Sequence, residues 1–457
     1  VVDVIGFKQS TKQSGGEFIG KGTFGCVYRP AFDVHTLKNG EITVDRIDGY
    51  ISKIVKRPSG RPIDQLDDMI QNQKIQDIDP KQIFTLPLRS VAEFDIDSLK
   101  DDEFREIVST CNIFKPTDQL ANVIIKDGGM AYDSVIEKMM KQISRGRGMR
   151  YYVTTIQQLY HSFDQLLDGL ELMNQKQFIH HDIKKDNVTF DGTRSYLIDF
   201  GISVSIDEIC DEMRLNLIES VSRKLDNETI TFEDFVDLDM HGKTASERKL
   251  MSHYPPESIV RYFAFVDDPD EFIQLDNEKM IELYMKTYKR ERGEVIRFFK
   301  SLRKLTRKYT RLIRKICNEG FVVHLNDGVP PIVYSYRDMK KMLVKAHEHV
   351  KEGTEDEEVL QITDVFYDTI TSDKRFVRFI AKLYSKFDMF GLGRVLGHVC
   401  LASDMIFDEL ERTSHSKFWT ANKPNISQLN DMYSQMAIDM TKLSWHRRSY
   451  NQSIKSE

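Results

Sequence analysis

Ile179-His180-His181-Asp182-Ile183-Lys184-Lys185-Asp186-Asn187 places a carboxylate, an amine two residues later and a carboxamide five residues later on one short segment. The segment follows a helical run. Between Tyr152 and Asn174 the apolar residues fall at 156, 159, 160, 163, 166, 167, 170 and 173, one face of a long helix. Each polar group has a part to play in phosphoryl transfer. Asp182 can accept the proton of an attacking hydroxyl. Lys184 can neutralise the moving phosphoryl group, and Asn187 offers a neutral oxygen to a magnesium ion.

Downstream, Tyr196-Leu197-Ile198-Asp199-Phe200-Gly201 reads as a strand that delivers a second carboxylate, followed by a glycine that permits a sharp change of direction. Asp199 is the candidate ligand for a magnesium that bridges two phosphates. Upstream, Gly20-Lys21-Gly22-Thr23-Phe24-Gly25-Cys26-Val27 fits G-x-G-x-x-G-x-V. Glycines let a backbone approach phosphates closely, but the same triplet occurs in dinucleotide folds. Those open a helix straight after the last glycine. Here Cys26-Val27-Tyr28 continues as strand residues and Arg29-Pro30 ends them, which favours a β-hairpin laid over phosphates.

The chain has 457 residues, 40% of them hydrophobic, enough for two or three folded units and a sizeable core. Gly15–Val34 is a glycine-punctuated strand pattern, and Glu41–Lys56 alternates like a strand pair after a turn at Asn39-Gly40. Asp64–Ile78 fits a helix that stops before Pro80, and Val123–Lys126 is a short apolar strand. Strands thus give way to helices near residue 130. No run of 18 apolar residues exists, so no transmembrane segment is expected. Val1–Phe7 lacks the basic start and long apolar stretch of a secretory signal. Five well-separated cysteines read as isolated thiols in a reducing compartment.

The formal charge of −6 argues against a nucleic-acid coat, but the charge is unevenly spread. Lys286–Lys315 holds 13 Lys or Arg and two acids, a net of +11 that leaves −17 on the rest. Its apolar residues Ile296, Phe299, Leu302, Leu305, Tyr309, Leu312 and Ile316 recur at helical spacing. Two readings stand: a basic amphipathic helix that docks an anionic partner, or a solvated face paired with acids elsewhere.

The three motifs, in this order, resemble a eukaryotic-type protein kinase. The glycine wording is also similar to that of divergent serine/threonine kinases of large cytoplasmic DNA viruses. In that resemblance H-R-D-L-x-x-x-N falls on His180, His181, Asp182, Ile183 and Asn187, and D-F-G on Asp199, Phe200 and Gly201. A-P-E falls on Pro255-Pro256-Glu257, and the D-x-W-x-x-G that opens a buried helix falls on Asp388 to Gly393. The resemblance implies an α+β bilobal fold, with a small β-rich lobe and a larger helical lobe carrying a helical insertion. The implied divisions are 14–130, 131–257, 258–375 (the basic insertion) and 376–457.

It also implies ATP and Mg2+ as cofactors, a protein Ser or Thr hydroxyl as acceptor and a cytoplasmic location, in a host cell or virion if viral. Asp182 and Lys184 would be catalytic, and Asn187 and Asp199 would hold the metal. Gly20, Lys21, Gly22, Thr23, Phe24, Gly25 and Val27 would cover the nucleotide. Lys53 would hold its phosphates, with Lys56 as the alternative, and Asp127 to Met130 would form the hinge facing adenine.

Three departures stand out. No Glu lies between Lys53 and Ala92 to pair with the lysine; Gln71, Asp67 or Asp68 is nearest by helix register. Ile51 replaces a small residue beside adenine. His181 replaces the arginine that reads a phosphorylated loop, which predicts activity without obligatory loop phosphorylation. Residues 202–254 make a long activation segment, with a helix expected within Phe232–Leu250, and 93–118 enlarge the small lobe. A pseudokinase scaffold and a small-molecule kinase are the alternatives.

Overall fold

The computed structural model describes residues 17–21, 25–36, 42–57, 67–95, 102–112, 114–115, 118–143, 149–210, 278–320, 368–413 and 417–441, with fragments at 322–323, 332–333, 341, 345 and 365. It is mixed α and β, with a β-rich N-terminal region and a helical C-terminal part. The contacts divide it into two compact units. The first takes Val1–Lys176, Asp182–Ser203 and Val395–Gln435; the second takes Gln177–His181, Val204–Arg394 and Met436–Glu457.

In the first unit, β1 (Glu17–Lys21), β2 (Gly25–Arg29), β5 (Tyr50–Lys56), β6 (Leu88–Asp95) and β7 (Gln119–Lys126) form one antiparallel sheet in the order β1-β2-β5-β7-β6. The expected strand pair of 41–56 is corrected. Its two strands exist, but β4 (Ile42–Ile47) pairs with β3 (Ala31–Thr36), and β5 is taken by β2 and β7. Alternation fixes which side chains face the core and leaves the partner open. Asn39-Gly40 lies outside the described residues.

Helix α1 (Asp67–Ile78) and helix α2 (Asp102–Ser109) are inserted between strands. Phe104 and Val108 of α2 pack with Tyr28, Phe32, Phe94 and Leu120 in one buried cluster. Cys26 and Cys111 belong to that cluster and are joined by a disulfide, which corrects the reading of five isolated thiols. They are 85 residues apart, so only the fold brings them together. Cys210, Cys317 and Cys400 are free and buried.

The chain then forms β8 (Met130–Ala131), α3 (Tyr132–Ile143) and α4 (Met149–Gln175). All eight apolar positions read on 152–174 are buried. Gly169 lets α4 approach Phe84: a Cβ there would lie 2.4 Å from the Phe84 ring. β10 (Val188–Phe190) pairs with β8 and with β11 (Ser195–Leu197), and Leu197 N–H donates to Phe84 C=O at 2.9 Å.

In the second unit, β9 (Phe178–Ile179) pairs with β12 (Val204–Ser205), so the two ends of the 180–203 segment are tied together. The basic run is two helices, not one: α5 (Glu278–Tyr288) and α6 (Arg292–Gly320). Lys289 between them takes a positive φ of 50°, and both ends of the Arg292 guanidinium reach Glu278 at 2.6 Å. β13 (Val322–Val323) and β14 (Ile332–Val333) make a small ladder.

α7 (Lys374–Thr413) and α8 (Lys417–Met440) complete the chain. Asp388 was expected to open a helix and instead lies inside α7, because the apolar pattern runs on unbroken from Phe376. By length and composition α7 could cross a membrane, contrary to expectation, but 67% of its apolar window is buried inside the protein, as in a core helix.

Candidate active site

All described residues picked out from the sequence for the site fall in the first unit. The registers Val27↔Lys53 and Cys26↔Ile54 put β5 beside the second strand of the glycine hairpin. Lys53 Nζ lies 3.0 Å from Asp199 Oδ1. Ile198 N–H, one residue before that aspartate, donates to Asn187 C=O at 3.0 Å. Asn187 Nδ2 donates to Asp182 Oδ2 at 2.9 Å and to Asp182 C=O at 3.0 Å. Lys184 Nζ closes the series 2.7 Å from Asp182 Oδ2. An unbroken set of contacts therefore runs from the sheet lysine through both carboxylates to the loop lysine.

Local backbone explains how Asn187 and Asp199 come to be placed. Lys185–Asn187 is a single tight helical turn in which Asn187 N–H donates to Lys184 C=O at 2.9 Å. Asp199 has φ +64°, an uncommon conformation for a residue with a Cβ, and costs of order 1–3 kcal/mol persist where the surroundings over-determine them. Its side chain is 44% exposed, whereas that of Asp182 is 13% exposed. Asp199 is thus open to an incoming ion, and Asp182 is the more enclosed carboxylate.

The other lysine candidate has a different partner. Lys56 pairs with Asp118 at 2.7 Å. Lys56 is exposed while Lys53 is half-buried. The side chains of Asp67, Asp68 and Gln71 lie outside the described residues, as do Gly22, Thr23, Phe24, Phe232–Leu250 and Pro255-Pro256-Glu257.

The hairpin glycines have different reasons. A Cβ on Gly25 would lie 2.3 Å from Ile54 C=O, so this glycine is required by the packing of β2 on β5. A Cβ on Gly20 would meet nothing within 4 Å, which leaves room there for a ligand. The amine of Lys21 is engaged by Asn112 Oδ1.

The 127–130 loop is braced from inside. Arg29 reaches Asp127 at 2.6 Å and Gly129 C=O at 2.7 Å, and Gly129 N–H donates to Asp127 Oδ1 at 2.9 Å. Gly129 has φ +85°, and a Cβ on it would strike Phe190 C=O at 2.1 Å. Asp127 N–H donates to Gly49 C=O at 3.0 Å.

Sequence reasoning missed two positioning contacts. Asp133 accepts Lys185 at 2.7 Å and lies 3.4 Å from His398; the Lys185 bond holds its carboxyl below the usual range. Lys185 sits inside the quoted motif, but a lysine in a loop gives no hint of its partner. In the second unit, Asp388 accepts His180 N–H at 2.7 Å and His181 N–H at 2.9 Å. Burial pushes its pKa up, while His180 and the two amides pull it back. His181 has φ +68°, and its ring packs on Phe387 and Tyr384 with centroids 5.2 and 6.2 Å apart.

The donor set suits magnesium. Asn187 spends its nitrogen on Asp182, which leaves its amide oxygen for a cation, and Asp199 supplies a second hard oxygen. Magnesium is held by few protein oxygens together with phosphates and water. Among the described residues no group of three or more His, Cys, Asp or Glu forms a metal cluster.

A stretch of 43 residues is 46% identical to mitogen-activated protein kinase kinase kinase 8 of Rattus norvegicus, covering 9% of this chain and 9% of that protein. The relationship over that stretch is kinase-like. No family model matches the chain.

Proposed function

We propose that the chain is an ATP- and magnesium-dependent kinase that transfers the γ-phosphoryl group to a serine or threonine hydroxyl of a protein. The observation that carries this reading is the continuous series Lys53–Asp199, Ile198–Asn187, Asn187–Asp182 and Asp182–Lys184. It sets two cations, two carboxylates and a neutral oxygen beside a glycine hairpin, the groups that phosphoryl transfer uses for positioning and charge stabilisation.

Asp182 orients the acceptor hydroxyl and receives its proton as the new O–P bond forms and the bond from the γ-phosphorus to the leaving ADP oxygen breaks. Lys184 offsets charge on the moving group. Lys53 leaves Asp199 to hold the nontransferred phosphates. Asn187 and Asp199 hold the magnesium, which when bound neutralises phosphate charge. The wording of the glycine hairpin supports the finer likeness to kinases of large cytoplasmic DNA viruses, and a cytoplasmic location goes with it. Incorporation of labelled phosphate from ATP into generic protein acceptors tests the reading, with Asp182→Asn as control. Transfer by the wild type that Asp182→Asn abolishes is expected; equal transfer by both would remove the assignment.

A nucleotide-binding pseudokinase is the second reading. It is favoured by the lack of any Glu between Lys53 and Ala92 and by the internal bonding of Asp127 and Gly129. Magnesium-dependent ATP binding without transfer to any acceptor, the protein itself included, would select it.

A further inference from the structure

Helix α6 buries Val295, Phe298, Phe299, Leu302, Leu305, Tyr309, Ile313 and Ile316 on one side. Arg297, Lys300, Lys304, Lys308, Arg311 and Lys315 are exposed on the other, within an arc of about 80° at 100° per residue. From Arg297 to Lys315 this row is about 27 Å long at 1.5 Å per residue.

The start of α7 lies against α6. The rings of Tyr309 and Phe379 stack with centroids 4.9 Å apart, and Arg375 reaches Glu319 at 2.6 Å. Lys374, Arg378 and Lys382 of α7 are exposed as well. Residues 295–318 and 374–387 together contain 14 Lys or Arg and no Asp or Glu. Among the described residues Lys315 has a carboxylate neighbour, Glu319 at 3.5 Å, while none within 4 Å is found for Arg297, Lys300, Lys304, Lys308 or Arg311.

We propose that this face of α6 binds the phosphate backbone of a nucleic-acid duplex without reading its sequence. Charge gives the sign of the partner, and the surface chemistry gives its class. Among the described residues no large apolar side chain is exposed between 292 and 320 or between 374 and 387. Among the described residues of this face nothing is there to insert into a membrane interface, to anchor a protein hot spot or to stack on unpaired bases. What remains is a straight row of cations at successive helical turns, long enough to follow about eight base pairs at 3.4 Å each. The remainder of the chain is acidic and repels a polyanion, which directs it to this face.

Fluorescence anisotropy with the full chain and a labelled 30-bp DNA duplex tests this, between 50 and 200 mM salt. Five phosphate contacts give a slope of about −4.5 in log K against log salt, an affinity loss of about 500-fold over that range. Replacing Lys300, Lys304, Lys308 and Arg311 together by Gln leaves one contact of the five and a loss of about 3.5-fold. The thermal melt of the variant is expected to match the wild type, since all four side chains are exposed. The proposal is overturned by a wild-type slope shallower than −2, by a folded variant that retains the wild-type slope, or by binding confined to phosphatidylserine vesicles or polyglutamate. The wild-type slope decides the matter even if the variant does not fold.

Discussion

The Lys53–Asp199–Asn187–Asp182 site and the α6 face both concentrate charge, by opposite means. At the site, unlike charges are held at fixed short distances, with a positive φ at Asp199 and hydrogen bonds consumed by Asn187. On α6, like charges are spread along an exposed stripe above an apolar face. For the proposed kinase each side chain of the first arrangement would be hard to replace, because the chemistry would depend on its geometry. The second, as a proposed duplex-binding face, would work by sum, so single losses would be small and salt would compete with the whole.

Asp182→Asn is the sharpest way to break that contrast. The amide keeps the size of the carboxylate but accepts no proton, so phosphoryl transfer should fall by about 10²–10⁴-fold. ATP affinity and the melting temperature should stay near wild type. A loss of less than tenfold in labelled-phosphate transfer would place Asp182 with the α6 lysines, as one contributor among many.

Lys53→Met comes next, with an expected loss of about 10²–10³-fold in kcat/KM for ATP, the scale for removing one preorganised donor. Lys56→Met, which removes the Asp118 partner instead, should change the same constant little. Similar losses from both would mean that the two β5 lysines are not separated by their partners.

Much of this was legible before any coordinates. Period-3.6 spacing gave α4 and much of the apolar side of α6 because a helix face is a local property, although Ile296 and Leu312 are half-buried and Val295, Phe298 and Ile313 are buried instead. The site motifs were legible because Asp182, Lys184 and Asn187 are neighbours in sequence. Partners distant in sequence were not: β4 on β3, Cys26 with Cys111, Asp133 with Lys185, and Arg29 with Asp127. Each depends on a meeting that no spacing encodes. The split of the basic run at Lys289 was also hidden, since Lys289, Arg290 and Glu291 are acceptable helix residues.

Asp388 tests whether a buried anchor behaves like the site or like the stripe. Asp388→Ala would leave the His180 and His181 amides without their acceptor, at about 1–3 kcal/mol each, offset in part by relief of the carboxyl's own burial. A net loss of about 2 kcal/mol in denaturant unfolding is expected. The pH trend has a definite sign. Burial raises this carboxyl in the folded state, so its contribution to stability is full below about pH 4 and declines as pH rises through the folded value. Asp388→Asn should flatten that slope, and a wild-type slope retained in the variant would assign it to another group.

The smallest expected effect lies on the apolar side of α6. Tyr309 is fully buried, stacked between Phe379 and Phe376, and among the described residues its hydroxyl has no hydrogen-bond partner. Burial raises its pKa well above the ordinary tyrosine value, and Tyr384 and Cys210 add to the rise, so it stays neutral. Removing an unsatisfied buried hydroxyl while keeping the ring recovers the cost of its desolvation, so Tyr309→Phe should stabilise the fold by about 1 kcal/mol. The duplex-binding slope should not move, because the cations sit on the opposite face of the helix. A destabilised Tyr309→Phe protein would mean that the hydroxyl has a partner after all, and that polar geometry matters under the stripe as much as it does at the site.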